Sequence, residues 1–299
     1  MTDIEGERGR LQRLAYRMLG SWSDAEDIVQ QSFERWYRLS VDDRKAIDQP
    51  AAWLTTVSSR LCLTLLGSAR VRRERYVGPW LPEPIPSYVD PHPDPLDRVT
   101  RDDSVSMALL VVLESLTPTE RVSYILHEVF GVPYVHIAEI VGRTPVAARQ
   151  AASSARRRVR SSRSRPVERA EHTRLVTAFH NACMRGDLNG LIAVLDPNVV
   201  SVSDGNGLAG IAKRPVVGAE AVARFLLGIL GKPRFDTAIE PAEVNGTEGF
   251  ALLGTGPNGR RRVFGVVSLD VETEHIRAIW ITMNPDKLTA WVSRHERSL

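Results

Sequence analysis

Between Gly78 and Asp97 the chain carries seven prolines, at positions 79, 82, 84, 86, 91, 93 and 95. Each lacks the N–H that a helix or central strand uses, and each pushes the residue before it out of the helical region. No regular element can run through this stretch, which divides the helical pattern before it from the one that resumes after it. The segment 78–103 reads as a semi-rigid linker.

The 299 residues, 43% of them hydrophobic, are enough for two or three compact cores. Upstream of the prolines, Leu11, Leu14, Ala15, Met18 and Leu19 recur at the spacing of one helix face, and Ile28, Val29, Phe33 and Trp36 form a second stripe. An all-helical unit is expected over 5–77. Helical periodicity resumes at Ser104 and runs to about Arg160, with stops at Thr117-Pro118, Gly131-Val132-Pro133 and Gly142-Arg143-Thr144-Pro145. Four helices are expected within 104–165. Beyond Pro166, helices at about Val167–Arg185 and Leu188–Leu195 precede alternating strand segments at Val199–Ser203, Ala238–Val244, Gly249–Gly254, Arg262–Leu269 and Ile276–Met283, with a helix at Ala219–Leu230. An α+β domain is expected over 168–299.

Cys62 and Cys183 have neither disulfide nor zinc spacing, so no metal and no cofactor is expected. The most apolar stretch, Val105–Leu113, is about half of a bilayer span, and the N-terminus lacks a basic-then-apolar leader. A cytoplasmic protein without membrane contact is expected. The formal net charge of +3 is mild, and its distribution matters more than its sum.

The sharpest local signal runs from Val135 to Gln150. Gly142 can take a positive φ after a short helix, Thr144 can cap the next one, and Pro145 suits its first position. This is helix-turn-helix grammar. In the second helix Ala148, Ala151, Ala152, Ala155 and Val159 form a narrow apolar stripe, while Thr144, Arg149, Gln150, Ser153, Arg156 and Arg157 are left to face DNA. From Val141 through Val167 there are eight arginines and no acidic residue. A solvated basic face is the ordinary explanation of such a run, but a capped helix-turn-helix ahead of it favours phosphate neutralisation and base contact.

With these residues in place, Leu11 to Arg160 resembles the sigma-70 family, in its small extracytoplasmic-function group that carries only regions 2 and 4. Asp24-Ala25-Glu26-Asp27-Ile28-Val29-Gln30-Gln31-Ser32-Phe33 resembles the region 2 helix that docks on the clamp coiled coil of core RNA polymerase. Asp24, Glu26, Asp27, Val29, Gln30 and Phe33 would be the contacts. Pro50-Ala51-Ala52-Trp53-Leu54 resembles the start of the helix that engages the −10 element. The resemblance implies that the loop Val41–Gln49 captures a flipped base and that Trp53, Arg60, Arg70, Arg72 and Arg73 grip the melted strand. It also implies a region 4 that binds the polymerase flap and the −35 element. Thr64, Gly67 and Ser154 stand where relatives often carry Asp or Arg.

Residues 168–299 resemble the SnoaL-like cone-shaped α+β fold, so the fold expected for the whole is multidomain, with two all-α sigma domains and one α+β domain. Sigma factors with this extension share segments similar to Tyr76–Pro84, Ser203-Asp204-Gly205-Asn206-Gly207 and Asn284-Pro285-Asp286-Lys287-Leu288. The subgroup implies control by the extension itself. A contact of Trp80, Leu81 and Pro82 with Asp204, Gly205, Gly207, Asn284, Pro285 and Asp286 would set how regions 2 and 4 are spaced. An ordinary Asp-Gly turn explains Asp204–Gly207 equally well. Two other readings stay open. One is a stand-alone helix-turn-helix regulator with an unknown small-molecule ligand in its SnoaL-like domain. The other is an enzyme using His180, Asp204 or His275, although none of these sits in a motif that demands catalysis.

Overall fold

The computed structural model describes residues 4–74, 76–87, 106–162, 167–207, 211–230, 238–255 and 259–291. They fall into two compact units, one drawn from 4–74 and 109–162, the other from 76–87, 106–108 and 167–291.

In the first unit, α1 (Glu7–Leu19) ends on Gly20, whose φ of 69° lets its N–H return to the Tyr16 carbonyl. Ser21 then caps α2 (Trp22–Arg38) by accepting from the Asp24 N–H, and Ser40 caps the short α3 (Val41–Lys45) in the same way. Proline at the first position starts α4 (Pro50–Glu74), a helix of 25 residues. The faces of α1, α2 and α4 close over Leu11, Leu14, Met18, Ile28, Val29, Phe33, Trp36 and Leu54, all buried. Within that core the Ser32 and Ser58 hydroxyls satisfy each other at 2.8 Å.

The second group of helices comprises α5 (Met107–Glu114), α6 (Pro118–Tyr124) with a π-turn over Ile125–Val129, α7 (Tyr134–Val141) and α8 (Pro145–Ser162). A capping box between Thr117 and Glu120 starts α6, and Gly142 at φ 65° ends α7. Small side chains let α8 lie close on its neighbours, with Ala148, Ala152 and Ala155 fully buried. α4 packs on α6 and α7. Two arginines tie these layers together. Buried Arg121 donates to the Met18 carbonyl at 3.1 Å and to Glu114 at 2.7 Å, and Arg60 donates to the Glu139 carbonyl at 3.1 Å.

The second unit runs α9 (Arg169–Arg185), α10 (Leu188–Val194), β1 (Leu195–Asp204), β2 (Val216–Val217), α11 (Ala219–Leu230), β3 (Ala238–Val244), β4 (Thr247–Thr255), β5 (Arg261–Glu272) and β6 (His275–Thr282). The strands form one sheet in the order β2-β1-β6-β5-β4-β3, antiparallel except for the parallel pair β1–β6. Leu175, Phe179, Leu191, Val222 and Leu226 of the helices pack on Val199, Phe250, Leu252, Val267, Leu269, Ile279 and Ile281 of one sheet face. Register shifts at Leu252/Leu253 and Asp270/Val271 interrupt the ladder.

Residues 76–87 belong to this unit. Leu81 and Ile85 are 2% and 6% exposed, and Pro86 bridges to Val244 beside β3. The first half of the expected spacer is therefore packed against protein, because its apolar side chains and spare backbone groups find partners there. Pro91, Pro93 and Pro95 lie outside the described residues.

Candidate functional site

On α8, Thr144 accepts from the Ala147 N–H at 3.2 Å, so its hydroxyl is a helix cap first. Arg149, Gln150 and Arg157 are exposed, and Ser153 and Arg156 are half-buried on the same helix. The Arg149 guanidinium lies 5.3 Å from the centre of the Tyr134 ring, which itself stacks on His127 at 4.0 Å. Arg156 is bound in bidentate fashion by Glu128, whose hydrogen bond holds the guanidinium above its ordinary pKa. Arg158 pairs with Glu120 at 3.3 Å, and Glu120 also accepts from the Ser154 hydroxyl at 2.7 Å. These ties to carboxylates had no local signal, since the acids come from the helix before the motif.

On α2, Glu26, Asp27 and Gln30 are exposed and Asp24 is half-buried. Val29 and Phe33 lie on the buried stripe of this helix. At 2% and 3% exposure they belong to the core, since the stripe that marks one helix face can face only one way. The same helix contributes Gln30, Phe33, Glu34, Tyr37 and Arg38 to a pocket that Arg8 completes.

On α4, Trp53 is half-buried against Trp36, with ring centres 5.3 Å apart, and exposed Arg60 spends a donor on the Glu139 carbonyl. The side chains of Arg70, Arg72 and Arg73 lie outside the described residues.

The second unit gathers the residues singled out around Asp204. This carboxylate is fully buried at the end of β1. Tyr76 donates its hydroxyl to Oδ1; the Leu81 N–H at 2.8 Å and the Lys287 ammonium at 2.6 Å donate to Oδ2. Asn284 donates to the Tyr76 oxygen at 2.8 Å while its own Oδ1 caps the turn Pro285–Lys287. Lys287 also donates to the Leu81 carbonyl and lies 3.9 Å from the centre of the Trp80 ring. Burial first, and Asp204 second, push the Tyr76 phenol well above its usual pKa. Further along, the Asn245 N–H donates to the Ile85 carbonyl at 2.9 Å, and the Trp291 indole donates to the Pro84 carbonyl at 2.8 Å. Pro82 and Gly205 are buried, whereas Pro285 and Asp286 are exposed. Asn206 adopts φ 46°, and a side chain on Gly207 would meet Val77 at 3.3 Å.

Tyr76 and Lys287 stand in the segments already singled out but were not among the expected contacts, and Asn245 and Trp291 lie outside those segments. Asp204 is fully buried and receives three donors on its two oxygens. His180 contacts the Ile239 carbonyl at 3.1 Å and stacks on Phe250, and His275 sits half-buried at the start of β6. Among the described residues no cluster of His, Cys, Asp or Glu suits a metal ion, and no helix is long and apolar enough to cross a membrane.

A model of sigma-70 region 2 matches residues 4–72, and a model of sigma-70 region 4 matches residues 106–159. The chain is 38% identical over 304 residues to the ECF RNA polymerase sigma factor SigJ of Mycobacterium tuberculosis, covering 100% of this chain and 96% of that one. It is 39% identical over 287 residues to the probable ECF RNA polymerase sigma factor SigI of the same organism, covering 94% and 92%. The crystal structure of the SigJ protein aligns with a TM-score of 0.75 at 36% identity, over 97% of this chain and 98% of that one.

Proposed function

The chain belongs to the extracytoplasmic-function RNA polymerase sigma factors, and from that premise we propose that its α+β unit governs initiation by holding the linker. A sigma factor binds core polymerase and promoter DNA and starts transcription; this one carries its regulator in the same chain. The polar face of α2, with Asp24, Glu26, Asp27 and Gln30, meets the clamp coiled coil, and region 4 meets the flap. α8 reads the −35 element through Arg149, Gln150, Ser153, Arg156 and Arg157, and α4 reads the −10 strand from Trp53 and Arg60. The protein works in the cytoplasm, where the polymerase is.

The observation that carries the regulatory reading is the capture of residues 76–87 around Asp204. Two promoter elements lie apart along the duplex, so regions 2 and 4 must separate to contact both. Immobilising a dozen linker residues, whose full extension is at most about 40 Å, fixes their span and takes away their freedom to lengthen the connection. The Arg121–Met18 and Arg60–Glu139 bonds favour the same compact state and must break as the two regions part. Tethering gives the Asp204 clamp an effective concentration of about mM, so a modest local contact suffices.

A second reading adds a ligand. The Ser201 and Ser203 hydroxyls are buried with no partner among the described residues, and their register neighbours Ile279 and Ile281 face the apolar core between sheet and helices. A small molecule with one polar end would satisfy them, and one that binds the clamped arrangement better would lower output.

Run-off transcription with purified core tests the main reading. Specific transcripts are expected only when this protein is added, and Lys287→Ala or removal of residues 166–299 should change their yield. Specific DNA binding without core and without initiation would favour a stand-alone regulator. Equal yields from wild type and both variants would refute control by the extension.

A further inference from the structure

The recognition helix has no acidic residue of its own, yet two of its arginines, Arg156 and Arg158, are paired with carboxylates from outside it. Arg156 sits seven residues after Arg149, two turns along the same face of α8. Glu128, from the π-turn that precedes the helix-turn-helix, grips it with both oxygens, Oε2 to Nε at 3.1 Å and Oε1 to Nη2. Both side chains keep solvent access, at 34% and 26% exposure, so a phosphate could reach the same guanidinium.

Glu128 has little other structural work. Its other neighbour is the His127 ring, whose Nε2 lies 3.9 Å from Oε1. The contrast is Glu120, which completes a capping box and binds Ser154 besides pairing with Arg158. Arg149 differs too, since the uncharged Tyr134 ring orients it while leaving its charge available.

We propose that Glu128 is a resident competitor of the DNA phosphate for Arg156, which weakens −35 binding and flattens its salt dependence. A fork-shaped guanidinium accepts a carboxylate and a phosphate in the same bidentate geometry, so the two anions exclude each other on it. Freed of Glu128, Arg156 delivers its whole charge to the duplex. Each phosphate neutralised by the protein steepens the fall of log affinity with log salt by about 0.9. The proposal rests on the assignment of α8 to the −35 element.

The test is promoter binding by holoenzyme reconstituted with the full chain, measured between about 50 and 200 mM salt. Glu128→Gln should tighten binding at low salt by roughly 2- to 5-fold, the range of an exposed ion pair, and steepen the slope by about 0.9. Arg156→Ala should weaken binding and flatten the slope, and the double variant should behave as Arg156→Ala. Glu128→Ala provides a second removal of the competitor should glutamine keep a hydrogen bond to the arginine. If both Glu128 variants bind no tighter while Arg156→Ala loses affinity, Glu128 merely positions the arginine and the proposal falls alone. If Arg156→Ala keeps wild-type affinity and slope, the assignment of this arginine to DNA falls and takes the proposal with it.

Discussion

Lys287 places its ammonium 2.6 Å from Oδ2 of Asp204, a carboxylate with no exposed surface, at a sequence separation of 83 residues. The pair is useful to the linker because the same two groups also bind the N–H and the carbonyl of Leu81. Lys287→Ala would leave a buried carboxylate without its cation, at a cost of about 3–5 kcal/mol. The expected result is a lower melting temperature for the α+β unit and faster hydrogen exchange at the Leu81 N–H. Asp204→Asn combined with Lys287→Met should recover much of that stability, because replacing both charges removes the uncompensated one.

Arg149 and Tyr134 make a different kind of pair, in which an aromatic face fixes a guanidinium that points to solvent. Arg149→Ala should reduce binding to the −35 element by about 1–3 kcal/mol and leave the affinity for core polymerase unchanged. Tyr134→Leu should produce a smaller loss at the same promoter positions, since it removes orientation but not charge. Competition binding with promoter duplexes changed one base pair at a time reads both effects. An equal loss of core binding would show that α8 contacts polymerase instead.

Asp27 is exposed on α2, next to the buried stripe of Ile28 and Val29. Charge reversal by Asp27→Lys should slow holoenzyme assembly by roughly tenfold at low salt, with the difference shrinking as salt rises, because charges at an interface rim act mainly on association. Thermal unfolding should be unaltered, which separates a lost contact from a lost fold.

The helical stripes, the Ser21 and Thr117 caps and the Gly142 stop were legible because their signals lie within one or two turns of chain. The strands were legible as alternation, although β1, β4 and β5 extend beyond the segments that alternate cleanly. The burial of Val29 and Phe33 was not legible, because an apolar residue looks the same whether it anchors a partner or fills a core. The clamp was half legible. Asp204, Trp80, Leu81 and Asn284 stand in recognisable segments, but nothing local says that Tyr76 reaches Asp204 across 128 positions. A buried lysine is equally silent in sequence, since its long apolar stem lets it pass for a surface residue until the carboxylate beside it is known.

His172 on α9 provides a test of how acid affects the α+β unit. Its ring is 19% exposed and its Nδ1 lies 3.8 Å from Oε2 of Glu248, which also accepts from the Thr173 hydroxyl at 2.9 Å. Burial pulls its pKa below the ordinary 6.5, and the opposing attraction of Glu248 does not make up the difference. The folded state therefore takes up the proton less readily than the unfolded one. Stability from this group is present above pH 6.5 and is lost as pH falls from there through the folded value, because only the unfolded chain gains the proton freely. Lowering the pH from about 7.5 to about 5.5 should reduce the melting temperature of this unit, and His172→Gln should reduce that drop while leaving the helical unit unaffected. Scanning calorimetry of both proteins across the range measures the difference. A variant that loses as much stability as wild type over the same interval would assign the acid sensitivity to other groups.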